Sequence, residues 1–139
     1  MRGRYSHNLD TKGRLIIPAK IREVLGDTFV AAAVMEPCVS LYTMESWDSM
    51  LQKLEELPMT KARPLLRYLS SNAVDVVLDA QGRALIPKHL LEHAQLKKEA
   101  LVIGAGAGRA EIWDPTLYNE LVGGMTDENI MEELAALGL

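Results

Sequence analysis

Apolar residues occur along this chain in short runs that are separated by polar turns. Strand-like runs are found at residues 5–9, 14–18, 30–34 and 39–43 in the first half, and at residues 74–78, 83–87, 100–103 and 111–113 in the second. Helical spacing of apolar residues follows in the segments AKIREVLG and KHLLEHAQL, and again over residues 45–57 and 115–122. Each half is therefore predicted to form a hairpin, a helix, a second hairpin and a second helix.

A nine-residue segment occurs twice, as DTKGRLIIP at residues 10–18 and as DAQGRALIP 69 positions later. In each copy an aspartate suits the first corner of a type I turn and a glycine suits the last. These turn residues are Asp10, Gly13, Asp79 and Gly82. An arginine follows each glycine, and each segment ends in a proline that can begin a helix. Repetition at a fixed offset indicates a duplicated structural unit, so each copy is predicted to be a β-hairpin that carries an arginine.

Two more helices are predicted outside the repeat. Residues 60–71 have leucines at helical spacing, with Thr60 as the N-cap and Pro64 tolerated in the first turn. Residues 126–139 form a short amphipathic helix with Thr126 as its cap. The apolar face of this helix consists of Ile130, Leu134 and Leu137. The first helix would be a packed connector between the halves, whereas the second needs a surface to lie on.

Composition limits the class of protein. With 139 residues, 48% of them hydrophobic, the chain can bury one core or two small halves that share one. No apolar run approaches the roughly 20 residues of a membrane span, and the N-terminus lacks the apolar stretch of a secretion signal. The single cysteine, Cys38, cannot form an internal disulfide and is expected to be a small apolar residue in or near a strand. These features favour a cytoplasmic protein.

Charge is distributed unevenly along the chain. The net charge is −4, but the first 26 residues hold six basic and two acidic side chains, so that they carry +4 and the remainder carries −8. No lysine or arginine follows Arg109, while acidic residues continue almost to the C-terminus. Local patches steer a polyanion more than net charge does, so a basic N-terminal face is compatible with nucleic-acid binding. Ordinary scatter of surface charge explains the pattern equally well.

Three segments together closely resemble the MraZ family of bacterial proteins. They are RGRYSHNLDTKGRLIIPAKIREVLG at residues 2–26, the second DxxGRxxIP motif at residues 79–87, and EIWD at residues 111–114. The resemblance implies a β-rich α+β fold of two tandem SpoVT/AbrB-like βαβ units with swapped hairpins, packed as an intramolecular pseudo-dimer with connecting and C-terminal helices. The expected boundaries are residues 4–47 for the first unit, 48–73 for the helical connector, 74–117 for the second unit and 118–139 for the helical tail.

The same resemblance implies a function. Members of the family are expected to form ring-shaped homo-oligomers and to regulate transcription of the bacterial division and cell-wall gene cluster. They would bind double-stranded DNA at short G-containing direct repeats in the promoter, which places the protein in the cytoplasm and at the nucleoid. No cofactor, membrane partner or small-molecule substrate is implied.

Basic residues near the first turn suit this implied function. A β-hairpin can enter the major groove, where an arginine near its tip can donate two parallel hydrogen bonds to O6 and N7 of guanine. Arg14, just after the turn, is the first candidate for base recognition. Lys12 at the tip, with Arg2 and Arg4 in the adjoining N-terminal segment, suits contacts to phosphates, which give affinity without sequence information.

The second copy of the motif is less basic than the first. Arg83 holds the position that matches Arg14, but Gln81 replaces the lysine and no basic segment precedes it. Arg83 is therefore a candidate DNA contact whose participation is not expected to equal that of Arg14. An alternative role for Arg14 is an ion pair with Asp10 that holds the turn.

Two patterns suggest enzyme chemistry and neither is persuasive. His89, Glu92 and His93 match H-x-x-E-H, in which two histidines on one helix face bind zinc and the glutamate acts as a base. No third ligand stands out, so we expect surface histidines and no metal site. The glycines from Gly104 to Gly108 fail the dinucleotide-binding pattern, because Arg109 stands where its last glycine belongs, and they favour a mobile hairpin turn. The sequence therefore predicts that the protein is not an enzyme.

A ring-forming scaffold without specific DNA recognition remains the alternative function. The acidic, amphipathic C-terminal segment is compatible with protein partners rather than nucleic acid. A use like that of antitoxins fits less well, because such proteins usually carry one unit and a disordered tail, whereas this chain carries two units.

Overall fold

The computed structural model describes residues 1–122 and 127–139, which form eight strands and six helices. The strands are β1 (Arg4–Asn8), β2 (Arg14–Ile16), β3 (Thr28–Ala32), β4 (Val39–Tyr42), β5 (Val74–Val77), β6 (Arg83–Leu85), β7 (Glu99–Gly104) and β8 (Arg109–Trp113). The helices are α1 (Ala19–Leu25), α2 (Met44–Glu55), α3 (Met59–Asn72), α4 (Lys88–His93), α5 (Pro115–Leu121) and α6 (Asp127–Ala136). Within these ranges no helix is both long enough and apolar enough to cross a membrane.

The strands form one large sheet and one small ribbon. Six strands make an antiparallel sheet in the order β1-β7-β8-β4-β3-β5, and β2 pairs with β6 in a separate antiparallel ribbon. This combination of an antiparallel sheet with helices confirms the predicted β-rich α+β fold class.

The strands on either side of each DxxGR turn pair with strands of the other half. β1 pairs with β7, with Tyr5 opposite Val102, and β5 pairs with β3, with Val76 opposite Phe29. The prediction that each repeated segment forms a simple hairpin is therefore wrong. Apolar alternation identifies the buried face of a strand, but it does not identify the strand that lies beside it. The other predicted hairpins, β3–β4 and β7–β8, are confirmed.

The main core lies between one face of the sheet and a layer made of the β2–β6 ribbon, α1 and α4. Leu15 of β2, Ile21 of α1 and Leu90 of α4 are completely buried there, against Phe29 and Ile112 of the sheet. Burial of each such side chain contributes about 1.5–3 kcal/mol to stability. The ribbon is thus fixed on the sheet, and the turns that precede its strands are fixed with it.

Helices α2, α3 and α5 cover the opposite face of the sheet. Trp47 of α2 packs edge-to-face on Tyr42 of β4, with 5.4 Å between the ring centroids. Trp113 of β8 packs in the same way on Tyr118 of α5, at 5.6 Å. Aromatic pairs of this geometry stabilise a fold by about 0.5–1.5 kcal/mol beyond their burial. They attach α2 and α5 to the face that lies away from the ribbon, and buried Leu69 attaches α3 to the same face.

Helix α3 begins earlier than the sequence suggested. Pro58 is its N-cap and Met59 its first residue, so Thr60 is not the cap. Pro64 is consequently inside the helix. A proline in the first turn would have cost little stability, whereas one in the interior removes a backbone hydrogen bond. Thr126, the predicted cap of the last helix, lies outside the described residues.

Cys38 is buried immediately before β4, beside Ser40. Burial raises the pKa of its thiol to about 12, so the group is protonated at neutral pH. The prediction of a small apolar residue next to a strand is confirmed.

Candidate nucleic-acid interface

The side chain of Asp10 closes the first turn. Its Oδ1 accepts hydrogen bonds from the backbone N–H groups of Lys12 and Arg14, at 2.9 and 2.8 Å. Its Oδ2 accepts a third bond from Nε of Arg14, at 2.6 Å. Gly13 completes the turn with φ of +83°, a conformation that a side chain disfavours. One carboxylate therefore both shapes the turn and fixes the arginine that follows it.

The second turn has the same geometry. Asp79 Oδ1 accepts from the backbone N–H groups of Gln81 and Arg83, each at 2.9 Å. Its Oδ2 accepts from Nε of Arg83 at 2.8 Å, and Gly82 has φ of +76°. The repeated residues thus produce the same turn twice, with the same hold on an arginine.

The two turns lie side by side. The residue after β2 donates its backbone N–H to the carbonyl oxygen of Gly82, at 3.1 Å, and the residue after β6 donates to that of Gly13, at 2.9 Å. Nη1 of Arg83 is 3.9 Å from Oδ2 of Asp10, so the second arginine approaches the carboxylate of the first turn. The sequence placed these arginines on two separate hairpins, whereas the structure brings them together.

Hydrogen bonding keeps both turn carboxylates ionised. The backbone N–H of Arg14 is the largest of the influences that lower the pKa of Asp10 to about 2, and the Arg14 side chain adds to the effect. The corresponding bond from Arg83 lowers the pKa of Asp79. At neutral pH both ion pairs are therefore charged.

The ion pair between Arg14 and Asp10 leaves part of the guanidinium available. Asp10 binds Nε, and within the described residues Nη1 and Nη2 of Arg14 form no hydrogen bond. One third of the Arg14 side chain, 33%, is exposed. A guanidinium held in place loses less freedom when it binds, and its fork can still donate two parallel bonds. The structural role proposed for Arg14 from the sequence is present, and it is compatible with base recognition.

Two apolar side chains share the outer face of the ribbon with the arginines. In the ladder Arg14 is opposite Leu85 and Ile16 is opposite Arg83. Ile16 and Leu85 are 45% and 58% exposed, so this face alternates cationic and aliphatic groups. These two residues were not among the site residues predicted from the sequence. The alternation in RLI and RAL was the available signal, because it places the middle residue of each strand inside and its neighbours outside.

Arg22 is a third arginine at the paired turns, and it was not predicted from the sequence as a site residue. It belongs to α1 of the first half but lies against the second turn, where a Cβ added to Gly82 would be 2.3 Å from its Nη1. Leu91 holds the matching place against Gly13. Nε of Arg22 is buried and has no hydrogen-bond partner among the described residues. Arg22 thus supplies the second turn with a positive charge that Gln81 does not.

The other predicted basic residues are distributed over two places. Lys12 is exposed at the tip of the first turn, beside Arg14. Arg4 is at the opposite end of β1, about 20 Å from the turn at the rise of a strand, where it stacks on Tyr118 and donates to its hydroxyl. Arg2 is close to Arg4, because its backbone lies against Gly104. The structure therefore separates Arg2 and Arg4 from the paired turns.

The histidines of the H-x-x-E-H pattern contact backbone rather than each other. Nε2 of His89 lies 2.8 Å from the carbonyl oxygen of Asn72, and Nε2 of His93 lies 2.9 Å from that of Glu36. Among the residues that the structure describes, no group of three or more His, Cys, Asp or Glu side chains is placed to hold a metal ion. Gly106 and Gly108 lie in the hairpin connection between β7 and β8, as predicted, whereas Gly104 is the last residue of β7.

Comparisons with known proteins give the family. The sequence matches the family model "MraZ protein, putative antitoxin-like" over residues 1–66 and 69–137. A protein of Acetivibrio thermocellus named Transcriptional regulator MraZ is 39% identical over 141 aligned positions, which cover 99% of this chain and 98% of the relative. Proteins of the same name from Caldanaerobacter subterraneus subsp. tengcongensis and Heliobacterium modesticaldum are 43% and 46% identical; each match covers 85% of this chain and, respectively, 83% and 85% of the relative. Both DxxGR turns lie within the matched residues, and the chain belongs to the MraZ family.

Proposed function

We propose that this protein regulates transcription by binding DNA sequence-specifically through its paired turns. The observation that carries the proposal is the pair of arginines, each fixed by a carboxylate, on the exposed face of a two-stranded ribbon. The major groove of B-DNA is about 12 Å wide and admits a two-stranded ribbon. The relatives named as transcriptional regulators support the regulatory role.

Each group on the ribbon face has a chemical counterpart in the major groove. Arg14 donates to O6 and N7 of a guanine, and Arg83 contacts a neighbouring base or phosphate. Ile16 and Leu85 suit the C5-methyl group of thymine, since apolar contact distinguishes that base. Lys12 at the tip contacts a phosphate.

Basic residues outside the ribbon would add affinity without sequence information. Arg22 strengthens the positive potential at the second turn, where its guanidinium lies over Gly82. Arg2 and Arg4 contact phosphates that flank the base-reading site, since they lie at the far end of β1.

The reciprocal strand pairing supports a further part of the proposal. β1 with β7 and β5 with β3 are equivalent exchanges between two similar units, which we place at residues 4–47 and 74–117 and which pack as a pseudo-dimer. The residues at 48–73 and 118–139 connect and extend these units. Many such chains form a ring, and a ring of successive subunits presents the same turns in the same sense to direct repeats. The target is the promoter of the division and cell-wall gene cluster. The protein would therefore act in the cytoplasm, at the nucleoid.

Binding to DNA from upstream of the chain's own gene tests this function. The native fragment and a shuffled fragment of the same length and composition compete for the full-length protein at several salt concentrations. We expect specific binding about 10³-fold or more tighter than non-specific binding. Equal affinity for both fragments would favour the scaffold alternative, in which the ring assembles but selects no DNA sequence.

A further inference from the structure

The face of the protein opposite the ribbon carries an open apolar groove. It lies between α2, α3 and the β3–β4 loop and has a volume of about 330 Å³. The groove is lined by Val34, Met35, Met50, Leu54, Leu65, Tyr68 and Leu69. Met35, Leu65 and Tyr68 are 85%, 43% and 50% exposed, so large apolar side chains face solvent here.

The walls of this groove are held in place. The side-chain amide of Asn72 at the end of α3 donates to the carbonyl oxygen of Ala33 and accepts from its N–H, both at 2.8 Å. These bonds fix the loop that carries Val34 and Met35 beside α3. Leu69, at the base of the groove, is buried in the cluster that also contains Trp47. The groove is therefore a preformed surface.

Helix α6 has the complementary shape, because it is an exposed helix with a narrow apolar stripe. Ile130, Leu134 and Leu137 occupy positions i, i+4 and i+7, and all three are exposed. This is the spacing by which an amphipathic helix enters a hydrophobic groove. In the chain as described, both the stripe and the groove are uncovered.

Charge next to the two surfaces is complementary. Helix α3 carries three basic and no acidic side chains, and Lys61 is one turn before Leu65 on the groove side. The sequence of α6 contains no lysine or arginine, and Glu133 flanks the stripe, one residue before Leu134. α2 is the more acidic wall of the groove, so a docked α6 would turn Glu133 toward α3.

We propose that the groove between α2 and α3 binds helix α6 of a second copy of this chain. The inference rests on the proposed ring and specifies its contact. Because the donor helix and the acceptor groove are different surfaces, the contact is head-to-tail, and repetition by rotation closes a ring rather than a two-fold dimer. Each subunit donates one helix and accepts one.

Two variants of the full-length protein test the two surfaces separately. Leu134→Glu places a charge on the stripe, and Leu65→Glu places one in the groove; both positions are already exposed, so the fold should tolerate them. In sedimentation velocity we expect wild type to be an oligomer and each variant to fall to the 15.4 kDa single chain. Ala136→Glu, about 200° around the helix from Leu134, is the matched control and should remain assembled.

A mixture of the two variants gives the sharpest outcome. Leu134→Glu chains keep an intact groove and Leu65→Glu chains keep an intact helix, so an equal mixture should form 1:1 dimers and no rings. A mixture that remains monomeric would overturn the proposal, as would variants that assemble like wild type. If α6 instead occupies the groove of its own chain, cysteines at positions 65 and 134 would cross-link within one chain rather than between two.

Charge reversal provides a second test. Lys61→Glu should weaken assembly about tenfold, and the double variant Lys61→Glu with Glu133→Lys should restore it. Arg67→Glu, on the far side of α3, should have no effect. Failure of rescue would contradict the docking orientation. A wild-type protein that sediments as a single chain would refute the ring itself, whereas an assembled protein that is insensitive to these substitutions would refute only this contact.

Discussion

Each arginine of the paired turns is held in place by a carboxylate of its own turn. Asp10 accepts two backbone N–H groups and Nε of Arg14, and Asp79 does the same for Arg83. The same carboxylate therefore shapes the turn and orients the arginine. The ion pair and the proposed DNA contact use different edges of the guanidinium, so the structural role does not compete with the proposed recognition role.

Lys12 should contribute affinity but not sequence preference. It is exposed at the tip of the first turn, where it can reach a phosphate and no base edge is required. Lys12→Ala is expected to weaken binding to native and shuffled DNA by the same factor. The slope of log K against log salt should become shallower by about 0.9 for each phosphate that the variant no longer neutralises. Lys53→Ala on α2, on the face opposite the ribbon, is the control. Loss of preference for the native fragment in Lys12→Ala would assign the lysine a base contact.

Acid should remove the stabilisation that Asp10 provides. Because its pKa is about 2 in the folded protein and about 4 in the unfolded chain, its stabilisation is complete above about pH 4 and is lost as the pH falls through about 2. Asp10→Asn lacks this charge, so its melting temperature should be lower than that of wild type at pH 6 and should change less between pH 5 and pH 2. Asp48→Asn, at an exposed position on α2, is the control. Parallel pH curves for wild type and Asp10→Asn would contradict the role given to this carboxylate.

At the scale of the element, α3 contains an internal proline that the fold tolerates but does not need. Pro64 lies inside the helix, where it lacks the N–H that would bond to the carbonyl of Thr60. Pro64→Ala should raise the free energy of unfolding by about 2 kcal/mol, because the helical gain exceeds the entropy that proline removes from the unfolded chain. Pro58→Ala, at the N-cap of the same helix, should instead lower it by about 0.5 kcal/mol. Urea denaturation measures both, and no gain from Pro64→Ala would show that the helix adapts to the proline without cost.

Local features of the elements could be predicted from the sequence, whereas their partners could not. The Asp-x-x-Gly turns, helices α1 and α4 and the hairpins β3–β4 and β7–β8 follow from spacing and turn chemistry within about ten residues. The pairing of β2 with β6 joins residues 67 to 71 positions apart, and Arg22 reaches Gly82 from another element. No local pattern contains that information. Only the family resemblance, which implies swapped hairpins packed as a pseudo-dimer, indicated contact between the two halves, and it did not indicate that the two arginines are adjacent.

At the scale of the whole molecule, the proposed assembly would compensate for the small number of cations on each chain. The ribbon face offers a few cations, although the chain as a whole is acidic, with a net charge of −4. A single chain would therefore bind DNA weakly, and repetition of the same face in an assembly would raise affinity through effective concentration. The basic turns and the acidic helix α6 belong to different parts of the chain, so the proposed recognition surface stays clear of the proposed assembly contact.

Recognition of guanine by Arg14 is the claim on which the proposed function depends. The most direct measurement compares full-length wild type and Arg14→Ala on the native upstream fragment and on a fragment whose repeat guanines are replaced by 7-deazaguanine, which lacks the N7 acceptor. Wild type should lose about tenfold or more in affinity on the substituted fragment, since a bidentate arginine–guanine pair contributes about 1–3 kcal/mol of discrimination. Arg14→Ala should bind both fragments equally and weakly. An Arg14→Ala protein that still distinguishes the two fragments would contradict the assignment of base recognition to this residue.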